Sequence, residues 1–150
     1  MSAALTAASP PALSPVALRL GHFGLLPFVL GAALIWLVHP PALPYVAQGL
    51  SSYAALVLAL LGGVHWGIGF AQTAPPPSLF AWGSVPAPLA WVAVMMPARS
   101  GLVLAGVLLV ACYLIDRKVY ARHGLGRWLT LRFRLSAVAA LSCFLGAAGA

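Results

Sequence analysis

The sequence predicts an all-α integral membrane protein, a bundle of about five transmembrane helices with its N-terminus cytoplasmic and its C-terminus outside. Composition is the first observation behind that class. Of 150 residues, 63% are hydrophobic and only 6% are charged, far too little polar surface for a soluble domain of this size. The second is the division of the chain into apolar runs by proline clusters and charges. The third is the gathering of the basic residues on one side of the resulting topology.

Five runs follow in order: Gly21 to Val38, Val46 to Ala71, Leu79 to Met96, Gly101 to Ile115 and Leu135 to Gly149. A bilayer core of ~30 Å needs about 20 helical residues. The first run ends at His39-Pro40-Pro41 and has nearly that length. The second, entered through Pro44-Tyr45 and closed by Pro75-Pro76-Pro77, is long enough to tilt. The third is separated from the fourth at Pro97, because one helix through both would measure ~55 Å. The fourth stops at Asp116-Arg117-Lys118, which leaves it short, and the fifth is short as well. Residues 1–19, rich in Ala, Ser and Pro, read as a disordered tail, and residues 20–150 as one transmembrane domain. The opening segment has no basic residue before Arg19, so it lacks the n-region of a signal peptide.

With five crossings, Arg19, Arg117, Lys118, Arg122, Arg127, Arg132 and Arg134 share one side, and Arg99 stands on the other. Positive residues collect in the cytoplasm, which sets the expected orientation. The net charge of +7, with Asp116 as the single acid, suits anionic lipid headgroups better than nucleic acid. Arg117, Lys118, Arg122, Arg127 and Arg134 are the candidate headgroup contacts, interleaved with Tyr120, Trp128 and Phe133 as in a segment at headgroup level. Cys112 and Cys143 stand alone in apolar runs and read as small core residues.

Function must be sought in the second run, where residues 61–71 read LGGVHWGIGFA. Ala59, Gly63, Gly67 and Ala71 recur every four residues, a row that lets another helix approach closely in lipid. Gly62 and Gly69 flank His65 on a different face and leave room for the imidazole, a neighbouring helix or a ligand. His65 lies ~9 Å from Ala71 by helical rise, in the half of its helix nearer the basic side. An ionisable group within a span is a functional-site candidate. His65, Trp66, His22 and Arg132 are therefore the candidate ligand-binding residues, and the ligands considered are lipid, quinone and haem. The competing reading is a histidine bonded to a neighbouring helix. Paired imidazoles of His22 and His65 for haem would differ in depth by about 5 Å. Proton translocation is disfavoured because no acid falls within an expected span, and hydrolysis because Asp116, at an expected helix end, has no defined nucleophile beside it. No metal site and no catalytic residues are expected, and no cofactor is assigned.

Several segments then fall into a familiar order: LGHFGLLPF (20–28), Tyr53 followed by LGGVHWG (61–67), SVP…LAW (84–91) and RWLTLRF (127–133). Together they resemble a domain-of-unknown-function family of small multi-pass proteins, widespread in proteobacteria, that includes the animal transmembrane protein sixty-nine. The resemblance covers about residues 20–135. It implies a bundle of roughly five helices in an energy-transducing membrane. It also implies that Gly62, Gly63, His65, Trp66 and Gly67 form a central motif, Gly24 and Pro27 a first-helix motif, and Arg132 a final basic motif; it supplies no reaction. The expectation is a non-enzymatic accessory or assembly protein of the bacterial inner membrane, packing against larger complexes or a second copy. The alternatives are a membrane protein binding a small molecule at His65 and Trp66, or a small oligomeric transporter.

Overall fold

A computed structural model of the chain describes residues 12–150. Among these residues there is no strand, and five helical stretches of 19 to 31 residues are long and apolar enough to cross a bilayer. Proline sets the starts. Pro15, Pro27, Pro44, Pro77 and Pro86 each occupy the first or second position of a helix, where a missing N–H costs no intrahelical bond.

The first crossing is α1 (Pro15–Phe23) followed by α2 (Leu26–Leu37). A turn at Pro40–Ala42 feeds α3 (Leu43–Phe70), the longest helix at 28 residues. The third crossing is again in two pieces, α4 (Pro77–Gly83) and α5 (Pro86–Met95). The fourth is α6 (Ala98–Arg122), and a short turn at Gly126–Trp128 leads into α7 (Leu129–Gly149). Helix α3 occupies the middle and touches α2, α4, α5, α6 and α7, while α6 and α7 form the most extensive pair.

The two interrupted crossings break for identifiable reasons. Pro27 cannot continue the α1 ladder, and the Gly24 carbonyl at that break accepts a hydrogen bond from the Tyr53 hydroxyl of α3, 2.8 Å away. The Phe28 ring meets Tyr53 edge-on at 5.1 Å between centroids, so the break is tied to the core. In the third crossing Pro86 opens a new helix and Ser84 donates its hydroxyl to the Phe80 carbonyl at 2.9 Å. The core itself is built from Phe28, Ile35, Leu50, Leu58, Leu102 and Leu109 with small residues such as Ala54 and Cys143 between them. Large side chains including Leu37, Phe70, Trp91 and Met95 point outward, as expected of a surface in contact with acyl chains.

Two expected boundaries are corrected. Residues 15–19, read as part of a disordered tail, are the start of α1; residues 1–11 of that tail lie outside the described residues. The fourth and fifth helices run past the charges that seemed to end them. Helix α6 continues through Asp116, Arg117 and Lys118 to Arg122, and α7 already contains Arg132 and Arg134. The fifth crossing is then 24 residues with its leading turn, ample to span. Its charges are tolerable in a helix because the buried ones neutralise each other, as described next.

Candidate functional site

The row Leu109, Cys112, Asp116, Tyr120 forms the buried face of α6, and Arg132, Ser136, Ala139, Cys143 that of α7. Where these rows cross the face of α3 carrying Leu58, Gly62, His65 and Gly69, the three ionisable residues meet. Asp116 is fully buried, His65 is 1% exposed and Arg132 7%. Arg132 Nε donates to Asp116 Oδ2 at 2.9 Å, its Nη2 lies 2.8 Å from the same oxygen, and Nη1 donates to the Ser136 hydroxyl. His65 Nε2 sits 3.1 Å from Asp116 Oδ1, an electrostatic contact whose N–H is not aligned on the oxygen.

The other ring nitrogen, His65 Nδ1, is 3.1 Å from the Leu61 carbonyl one turn earlier. Each nitrogen therefore faces an acceptor. A neutral ring donating to Leu61 turns an unprotonated nitrogen toward Asp116, whereas the imidazolium sets a positive charge beside the carboxylate. Asp116 is thus held between a permanent cation and a group able to carry a second positive charge. Buried charges in a membrane persist only with such partners. The arrangement clamps α3, α6 and α7 together at one level.

Of the residues singled out from sequence, the structure joins His65 and Arg132 through Asp116, which was not among the candidates. The argument that no acid lies within a span is overturned, and so is the placing of Asp116 at a helix end. Trp66 and His22 do not join the cluster. Trp66 leaves α3 toward α4, and its ring meets Phe80 of α4 at 5.2 Å and Phe70 of α3 itself at 5.9 Å between centroids. His22 is exposed on α1, with Nδ1 2.7 Å from the Leu18 carbonyl. Among the described residues no group of three His, Cys, Asp or Glu side chains is placed to hold a metal ion.

The glycines of the motif divide between two tasks. A Cβ on Gly62 would collide with the Gly83 carbonyl, and one on Gly83 with the Trp66 ring, so these two glycines let α3 and α4 meet backbone to backbone. Gly69 makes the same kind of room for the Phe80 ring. Of the uses open to Gly62 and Gly69, the neighbouring helix is the one found. Gly63 and Gly67 have open space above them, and Ala59 and Ala71 beside them are exposed. Arg117, Lys118, Arg122, Arg127 and Arg134 are also exposed, with the Arg127 guanidinium 6.0 Å from the centre of the Trp128 ring.

Fold and site together define a multi-pass helical membrane protein whose crossings are locked by a buried carboxylate between arginine and histidine. The family described as a protein of unknown function (DUF3429) matches residues 13–148, and the chain belongs to it. It is also similar to Transmembrane protein 69 of Xenopus tropicalis, 39% identical over 97 residues, which are 63% of this chain and 37% of that protein. The chain thus spans little more than a third of the length of that relative. No solved structure matches.

Proposed function

We propose that the chain is a non-enzymatic accessory or assembly protein of the bacterial inner membrane. It joins a larger membrane complex, or a second copy, through the row Ala59, Gly63, Gly67, Ala71 of α3. The observation that supports this reading is the contrast among the glycines. Gly31, Gly62, Gly69, Gly101, Gly106 and Gly146 all lie against a neighbour inside the bundle, whereas Gly49, Gly63 and Gly67 of α3 lie under open space, the last two four residues apart in one row with Ala59 and Ala71. A glycine costs a helix about 1 kcal/mol relative to alanine, and among the described residues no neighbour packs on these two positions to offset it. A helix from another chain approaching to backbone distance would offset it. The chemistry at Asp116 favours the same reading. Its carboxylate faces Arg132 and His65, and the hydroxyl within the cluster, on Ser136, accepts a hydrogen bond from Arg132 instead of facing a base.

The test is purification of the tagged protein in mild detergent, with Gly63→Leu and Gly67→Leu variants beside the parent. The parent should retain a stoichiometric partner or self-associate, and the variants should lose it while eluting as folded monomers. Association unchanged in both variants would exclude the α3 row as the interface.

A further inference from the structure

Close packing leaves a protein interior few spaces larger than a water molecule, yet a cavity of about 210 Å³ lies beneath α1 and α2, between α3 and α7. An apolar cavity of about 150 Å³ is already enough to hold benzene. Leu20, Gly21 and Gly24 of α1 form one wall, and the edge-on ring pair Phe28 and Tyr53 stands in another. The α1 wall is lightly held, because that helix has no buried residue. Leu20 and Leu60 line the cavity and are both exposed, so it opens to the acyl chains between α1 and α3. It shares Leu60, Leu61, Leu135 and Arg132 with a wider cleft of about 370 Å³ further along α3. None of Ala59, Gly63, Gly67 and Ala71 lines either space, so both lie off the row proposed as the protein interface.

The polar side chains in the lining decide what the cavity takes. Arg132 and Ser136 are 7% and 4% exposed, and both have hydrogens to give. Arg132 donates Nε–H to Asp116 and Nη1–H to the Ser136 hydroxyl, and no acceptor is aligned on its Nη2. The Ser136 hydroxyl, having accepted, keeps its own proton to donate. The Tyr53 proton already goes to the Gly24 carbonyl, and Asp116 does not line the cavity. An occupant must therefore supply an acceptor oxygen. It must also be uncharged, because Asp116 balances Arg132 and stripping water from an ion in an apolar cavity is costly. A phosphate or carboxylate head fails that condition. A ring carbonyl meets it, and Phe28 and Tyr53 offer edges and faces for a further ring to pack on. We infer that the cavity is a binding site for a quinone, its ring beneath α1, one carbonyl oxygen accepting from the Arg132–Ser136 pair and its tail leaving past Leu60.

The experiment follows thermal unfolding of the purified full chain in mild detergent as decylubiquinone is added. Decylbenzene, with the same tail and no carbonyl, and decanoate, with a charged head, are the comparison probes. Decylubiquinone should raise the unfolding temperature in a saturable way, as a ligand of the folded state does, and the other two should not. Val57→Phe and Gly21→Leu fill the cavity from different walls. Each should weaken the apparent affinity by about tenfold or more, and two are used so that a fold disturbed by one leaves the other to be read. No saturable rise in the parent would overturn the site. So would an equal rise with decylbenzene, which marks an apolar space without carbonyl recognition, or a larger one with decanoate, which marks a fatty-acid site. An affinity unchanged in both filling variants would place the quinone elsewhere and overturn it as well.

Discussion

Removing the Asp116 carboxylate would leave the Arg132 guanidinium and the His65 ring buried with no anion between them. Breaking a buried pair by deleting one partner typically costs about 3–5 kcal/mol, more than the pair contributes over neutral groups of the same shape. Asp116→Ala should therefore unfold at markedly lower denaturant in detergent micelles. Asp116→Asn combined with Arg132→Gln should recover much of the loss. A double-mutant cycle over these positions should give a coupling of about 1 kcal/mol or more, and additive single effects would show that the pair is not coupled. The same cluster shows why this part of the site was hard to see in the sequence. Asp116-Arg117-Lys118 reads as the end of a hydrophobic run when residues are scored one at a time. Yet Leu109, Cys112, Asp116 and Tyr120 keep a helical spacing, as do Arg132, Ser136, Ala139 and Cys143. A lone acid on one such row, facing an arginine on the next, was the available signal, and it depends on seeing the two helices as a pair.

At the scale of elements, the helices were legible because proline and apolar length are local properties. What was not legible was how neighbouring faces of one helix are used. On α3 the row through Gly62 is filled by α4, and the row through Gly63 is open, although the two residues are adjacent. Gly62→Ala should destabilise the fold by about 1–3 kcal/mol, the usual cost of overpacking. Gly63→Ala should leave the monomer unchanged or raise its stability by up to about 1 kcal/mol through helix propensity. Thermal unfolding of the two variants distinguishes these outcomes, and equal losses would mean that the Gly63 face is also packed within the monomer. The α6–α7 turn rests on the same kind of local geometry. Gly124 adopts a φ of +73°, and the Leu125 N–H reaches back 2.8 Å to the Tyr120 carbonyl, closing the helix end in a left-handed cap. That cap turns the chain into Gly126–Trp128 and starts α7 in register for Arg132 to meet Asp116.

For the molecule as a whole, the distribution of charge carries the argument about orientation. Arg19, Arg117, Lys118, Arg122, Arg127 and Arg134 gather at one end of the bundle and Arg99 stands near the other, in the first turn of α6. Arg132 is neutralised by Asp116, and the bias of the remaining charges is unaffected by that pairing. Five crossings and the positive-inside tendency together predict a cytoplasmic α6–α7 turn and an Ala150 on the opposite side. A periplasm-active reporter fused after Ala150 should be active in a bacterial host, and the same reporter inserted in the loop at Thr73 should be silent. Moving positive charge should weaken this orientation. With Lys118, Arg122 and Arg127 changed to Gln and lysines added beside Arg99, a mixed population should appear. An Ala150 fusion active only in the cytoplasm would mean that α7 does not complete its crossing. The Asp116–Arg132 pair would then have to form with one helix outside the bilayer, which its burial on every side opposes. The reporter result therefore tests the topology and the burial of the charge cluster together.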